Sequence, residues 1–131
     1  MAQLKQSTPI AFSKIYSLGA ARGDLTVTND EIAGPINSSD EWITQRTGII
    51  TRMRASQNRS LMDMAVEASK EAIQKAGIKP SEIEAVIFST ITHPYQTPSA
   101  AALLGDLIGA NPAPAFDISA ACAGYCYGIA Q

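Results

Sequence analysis

The stretch DISAACAGYCYGIAQ, residues 117–131, decides the fold. It opens as the end of an apolar, strand-like run, 113–118, and then passes Cys122 among Ala120, Ala121, Ala123 and Gly124. A strand that turns sharply into a helix, with side chains too small to crowd the turn, brings the Cys122 thiol where a substrate can approach. The N-terminus of a helix favours negative charge, so this placement predicts a lowered thiol pKa and a reactive thiolate. The competing reading is a small buried cysteine used for packing, since free cysteine is among the most buried residue types. Nine residues follow Cys122, fewer than such a helix needs to finish.

Upstream, the pattern of strand then helix repeats. Residues 84–91 (EAVIFSTI) form a nearly continuous apolar run of strand length, as expected of a parallel strand covered on both faces. Between the two strands, Thr97 can cap and Pro98 open a helix that reaches Ile108 and stops at Gly109. Before them, Leu61, Met64, Ala65, Ala68, Ala72, Ile73 and Ala76 fall at helical spacings, predicting a helix over 60–76 ended by Gly77. This alternation predicts an α/β fold with helices on both faces of a mostly parallel sheet. Nearer the start, KIYSL (14–18) reads as a short strand and residues 1–13 as an N-terminal extension. Thr28 or Asn29 caps a short turn stopped by Gly34 and Pro35. Ser38 to Glu41 reads as an S-x-x-E capping box for a short helix ending by Gly48. The stretch 49–60 (IITRMRASQNRS) reads as a basic, polar connection.

Bulk properties exclude several classes. At 131 residues one domain with a real core is expected. The formal charge is −2 without a long basic block, which argues against a nucleic-acid or anionic-membrane surface. No segment approaches the roughly 20 apolar residues that span a bilayer. The start, MAQLKQSTPIAFSK, has no apolar core of a secretion signal. Two cysteines four apart do not make a disulfide framework and suit a reducing, cytoplasmic setting.

Beyond Cys122, four sets of residues are candidates for chemistry. Cys126, one helical turn on, reads as core packing, because no third cysteine or nearby histidine completes a metal site. His93, the only histidine, could serve Cys122 as a base but reads better as a loop or interface residue. Trp42 and Arg46 share a helix face, and an indole beside a guanidinium suits a flat adenine ring and phosphates. Equally, Trp42 could anchor its helix to the core with Arg46 solvated. Arg52, Arg54 and Arg59 add positive charge that either meets a polyanion or is a solvated loop.

The segments SSDEWITQRTGI (38–49), AVIFSTIT (85–92), PSAAALLGDLIGA (98–110) and AFDISAACAGYCYG (115–128) together resemble β-ketoacyl-acyl carrier protein synthase III, most of all its actinobacterial members. The resemblance runs from about Lys14 to the last residue. It implies a thiolase-like fold and an initiating condensing enzyme of type II fatty-acid synthesis. By the same resemblance Cys122 is the nucleophile acylated by a short acyl-CoA, and its backbone N–H is one oxyanion-hole donor. Trp42 and Arg46 match the pair that sandwiches the CoA adenine, Ser38 a small hydroxyl near the nucleotide, and Thr97 a position lining the acyl pocket. Acyl-CoA is then a substrate rather than a cofactor, no metal is implied, malonyl-acyl carrier protein is the second substrate, and a homodimer is expected.

Members of that family are roughly twice to two and a half times this length, two similar α/β halves packed together. The resemblance therefore implies that residues 14–131 are an N-terminal half, without the family's catalytic histidine and asparagine. The half alone is expected to fail at condensation and to expose apolar surface. A polyketide-starter or alkylquinolone-type synthase, a non-catalytic assembly partner and a CoA-binding module are the alternatives.

Overall fold

The computed structural model describes residues 12–131. The expected extension, 1–13, thus lies outside the described residues except for Phe12 and Ser13. Local capping chemistry sets most element ends. Thr28 caps α1 (Asn29–Ala33), with the Glu31 carboxylate accepting from the Thr28 N–H at 2.8 Å. Helix α2 (Asp40–Thr47) begins at Ser39, whose Oγ accepts from the Trp42 N–H at 3.1 Å. Ser39 rather than Ser38 is therefore the cap. The helix ends at Gly48, in the left-handed region at φ 71°, which glycine adopts without a Cβ penalty. Helix α3 (Leu61–Ala76) opens with a Ser60/Asp63 capping box and closes at Gly77, so both of its ends are satisfied locally.

The antiparallel pair β1 (Leu25–Thr28) and β2 (Thr51–Arg54) was not expected from sequence. Leu25 lies opposite Arg54 and Thr28 opposite Thr51. Only Val27 is buried in this pair, so the hydrophobic alternation that announces a strand is nearly missing. Conversely KIYSL (14–18) is not a strand. It runs along α3 as extended chain, held by Ser17 Oγ donating to Ala72 O at 2.7 Å and the Ala20 N–H donating to Glu71 Oε2 at 2.7 Å. Gly19 permits that approach, because a Cβ there would fall 1.9 Å from Ala68 O. Only a residue without a side chain fits so close to another backbone.

The second sheet places the candidate nucleophile. Strands β3 (Val86–Ser89) and β4 (Ala115–Ile118) pair in parallel, with Val86 opposite Ala115 and Phe88 opposite Asp117. Both are shorter than the apolar runs that announced them. Helix α4 (Ala100–Ile108) is capped by Ser99, not Thr97, and ends at Gly109. Side chains alternate across a strand, and the two faces of β3 meet different helices. Val86 packs with Ala101, Leu104 and Ile108 of α4, joined by Met62, Ala65, Val66 and Ile73 of α3. Ser89, on the other face, meets α5 (Gly124–Ala130). Helices on both faces are therefore present, although the strands among the described residues form two separate two-stranded sheets rather than one mixed sheet.

Candidate active site and nucleotide platform

Strand β4 delivers the chain to the elbow. Ala121 stands at φ 45°, a left-handed conformation that costs a non-glycine residue about 1 kcal/mol or more. A 3-10 turn, Ala121–Ala123, follows, and α5 begins at Gly124. Cys122 thus sits on the tight turn before α5, not at the first residue of the helix, and it is exposed. An open cavity of about 470 Å³ adjoins it, lined by Ile87, Ser89, Ala121, Cys122 and Tyr125 among others.

Close packing beneath α5 sets the height of this turn over the sheet. Ser89 Oγ donates to Gly124 O at 2.8 Å. A Cβ on Gly124 would lie 3.2 Å from Ser89 Cβ, and one on Gly128 3.0 Å from Ser89 Oγ. The glycines at 124 and 128, one helical turn apart, are what let the helix rest on Ser89. Only Gly124 of α5 is buried, and Cys126 is exposed rather than part of the core. The face carrying Cys126 has no described element over it.

Asp117 is a scaffold residue of this site that sequence reading missed. From β4 its carboxylate accepts the N–H groups of Ala100 and Ala101, both at 2.8 Å, from 17 and 16 residues away. It thereby caps α4, where the first N–H groups of a helix have no partner of their own and favour an anion. A charged residue in the middle of an apolar strand was the available signal, since such a group demands partners.

The second site is on α2. Arg46 Cζ stands 5.6 Å from the Trp42 ring centroid, and Trp42 is 54% exposed. The two form a cation–π pair. Trp42 does not anchor the helix in the core; Ile43 does. Ser38, Ser39, Ile36, Asn37 and Trp42 line a cavity of about 500 Å³. The Ser38 Oγ is buried there without a hydrogen-bond partner, an unmet polar group beside an exposed indole. The structure thus gathers Ser38, Trp42 and Arg46 at one place. Cys122 belongs to a different cavity that shares no lining residue with this one.

Other candidates take internal roles. Arg52 donates to Thr28 O at 2.8 Å and to Asn29, and Arg59 pairs with Glu67, so neither is a free cation awaiting a polyanion. His93 Nε2 meets Pro98 O at 3.2 Å and its ring stands edge-on to Tyr95, which keeps it in the 92–98 loop. Thr97 is exposed in the same loop. The carboxylates held below their ordinary range are all at caps and tethers. The Ser56 N–H lowers Asp24, the Thr28 N–H Glu31, the Ser60 hydroxyl Asp63, and Lys75 together with the Ala20 N–H lowers Glu71. In each case a donor stabilises the charged form. Among the described residues no group of His, Cys, Asp or Glu could hold a metal ion, and no helix is long and apolar enough to cross a membrane.

No family model matches the chain. Relatives and solved structures do. The chain is 52% identical over 131 residues, all of its length, to the beta-ketoacyl-[acyl-carrier-protein] synthase III of Kocuria rhizophila, of which it covers 37%. It is 54% identical over 120 residues, 92% of its length, to the protein of that name from Tropheryma whipplei, again 37% of the relative. Among solved structures, the priming beta-ketosynthase of the R1128 polyketide pathway superposes with a TM-score of 0.84 at 39% identity, over 90% of this chain and 35% of that one. The 3-oxoacyl-[acyl-carrier-protein] synthase III of Aquifex aeolicus superposes at 0.82 and 38% identity, over 89% and 38%. These solved neighbours are thiolase-fold synthases, and this chain shares their fold. Within them the chain belongs to the β-ketoacyl-acyl carrier protein synthase III family and corresponds to its N-terminal part. It spans about 37% of the length of the curated relatives it matches.

Proposed function

We propose that this chain carries the acyl-transfer centre of an initiating condensing enzyme of fatty-acid synthesis. The observation that carries the reading is Cys122, exposed on the strained turn where β4 meets α5, in a chain that belongs to this family. The Cys122 thiolate attacks the carbonyl carbon of a short acyl-CoA. The oxyanion that forms is stabilised by donors including the Cys122 N–H, and collapse expels the CoA thiolate, leaving an acyl-cysteine. Decarboxylation of malonyl-acyl carrier protein then supplies a carbanion equivalent that attacks the acyl-cysteine carbonyl, releasing β-ketoacyl-acyl carrier protein and the free thiolate. Trp42 and Arg46 hold the adenine end of CoA by stacking and charge. The Ser38 hydroxyl offers the hydrogen bond it does not make among the described residues, which relieves an unsatisfied buried group. Acyl-CoA acts as substrate, with no resident cofactor. Residues 14–131 are the N-terminal half of the thiolase-like unit, and the whole protein acts as a cytoplasmic homodimer.

Intact-protein mass spectrometry before and after acetyl-CoA tests the acyl-transfer step. A gain of one acetyl group, lost in Cys122→Ser, is the expected result. An acetyl group retained in Cys122→Ser would remove Cys122 from its role. The match to a polyketide priming ketosynthase favours one second reading, in which the acyl-enzyme primes a polyketide rather than a fatty acid. The carrier protein that accepts the acyl chain separates the two.

A further inference from the structure

Among the described residues Asn29 is the one buried polar side chain of the core, 1% exposed, and the reaction proposed above does not use it. Its side-chain amide joins three segments to α1. Nδ2 donates to Asp40 Oδ1 at 2.7 Å and to Ile49 O at 2.8 Å, with Thr44 Oγ1 at 3.2 Å as a third acceptor. An amide NH2 has two hydrogens, so Thr44 shares one of them. Oδ1 accepts from the Arg52 guanidinium, which also donates to Thr28 O. Both hydrogens and the oxygen of the amide are thereby used, and the first turn of α2, the exit of α2 and strand β2 are all referred to one buried point.

Asp40 and Thr44 lie four apart on α2, and so do Trp42 and Arg46. The two pairs are offset by two residues, roughly 200° around the helix. Asn29 therefore grips one face of α2 while the opposite face presents the indole and the guanidinium. The helix is only eight residues long, and Ile43 is its one buried side chain. Apolar packing alone gives it little resistance to rotation. We infer, on the acyl-CoA reading above, that Asn29 is a positioning residue, which fixes the rotation of α2 and so the geometry of the Trp42–Arg46 platform.

Trp42 is the only tryptophan, so its emission reports the platform directly, in the full chain and without ligand. Asn29→Asp keeps the shape but turns the donor towards Asp40 and Ile49 O into an acceptor. Arg46→Ala gives the emission of an indole without its cation. Asn29→Asp is expected to shift Trp42 emission towards the Arg46→Ala spectrum and to weaken coenzyme A binding, followed by calorimetry, about tenfold. Adding Asp40→Asn restores a donor–acceptor pair and should recover most of both. Should Asn29→Asp fail to fold, Asp40→Ala, at an exposed position, is expected to shift emission in the same direction. A lowered melting temperature with unchanged Trp42 emission and unchanged coenzyme A affinity would make Asn29 structural only and overturn the inference. If Arg46→Ala leaves coenzyme A affinity intact, the platform reading fails instead, while the emission of the Asn29 variant still decides whether Asn29 sets the helix.

Discussion

Removing the Asp117 carboxylate should uncouple α4 from the strand that leads to Cys122. In the folded chain two N–H groups of the first turn of α4, those of Ala100 and Ala101, both 0% exposed, end on this one side chain at 2.8 Å each. Water cannot readily replace it. A hydrogen bond to a charged group contributes about 1.5–3 kcal/mol, and the helix dipole adds about 0.3–1 kcal/mol for an anion at this end. The carboxylate is only partly buried, so the lower half of that range applies. Asp117→Ala is expected to cost about 2–3 kcal/mol. Asp117→Asn keeps one acceptor oxygen but turns an NH2 group towards the second N–H, and should cost a little over half as much. Urea unfolding of the full chain followed by far-UV circular dichroism gives both values, provided the m-value holds. The order wild type, Asn, Ala is expected. A loss below about 0.5 kcal/mol for the alanine variant, the usual surface figure, would refute the idea that Asp117 caps α4.

Three further outcomes follow from contacts already described. Gly128→Ala puts a methyl group 3.0 Å from Ser89 Oγ. It should destabilise by about 1–3 kcal/mol through overpacking. Ser89→Ala in the same chain should return part of that loss, and a purely additive double-mutant cycle would show that α5 does not rest there. Gly19→Ala must move backbone, since its Cβ would meet Ala68 O at 1.9 Å, and hydrogen exchange of Ala20 should rise sharply. Acid should loosen the caps and tethers. Asp24 and Asp63 are lowered from 3.8, and Glu31 and Glu71 from 4.5. Each therefore stabilises the fold above those values, and its contribution is lost as pH falls through the lowered folded pKa. Melting temperature should drop as pH goes from neutral to below these carboxylate values, and Glu71→Gln should flatten part of that drop.

What the sequence alone determined is what neighbouring residues decide between themselves. Ser60 with Asp63, the glycines at 48, 77 and 109, and the apolar spacing along 61–76 each act within one or two helical turns, so their physics is visible in a short window. The parallel strand pair, the α/β character and the elbow at Cys122 were legible for the same reason: apolar runs of strand length and a cluster of tiny residues are local signals. The i,i+4 spacing put Trp42 and Arg46 on one helix face, but whether the indole anchors the helix or stands exposed was decided by the tertiary structure. Tertiary structure decided everything that needs a distant partner. KIYSL has strand composition but found its hydrogen bonds on α3, while the polar TRMR became a strand because LTVT lay beside it. Ser39 displaced Ser38 as the cap of α2, leaving the Ser38 hydroxyl buried without a hydrogen-bond partner beside Trp42. Cys126 stayed exposed because only the glycine face of α5 reaches β3. Asn29 looks ordinary in the chain and Asp117 signals only that it needs partners, yet each satisfies backbone or side-chain groups 11 to 23 residues away. A buried polar group must find its partners wherever the fold puts them, and no local pattern announces where that will be.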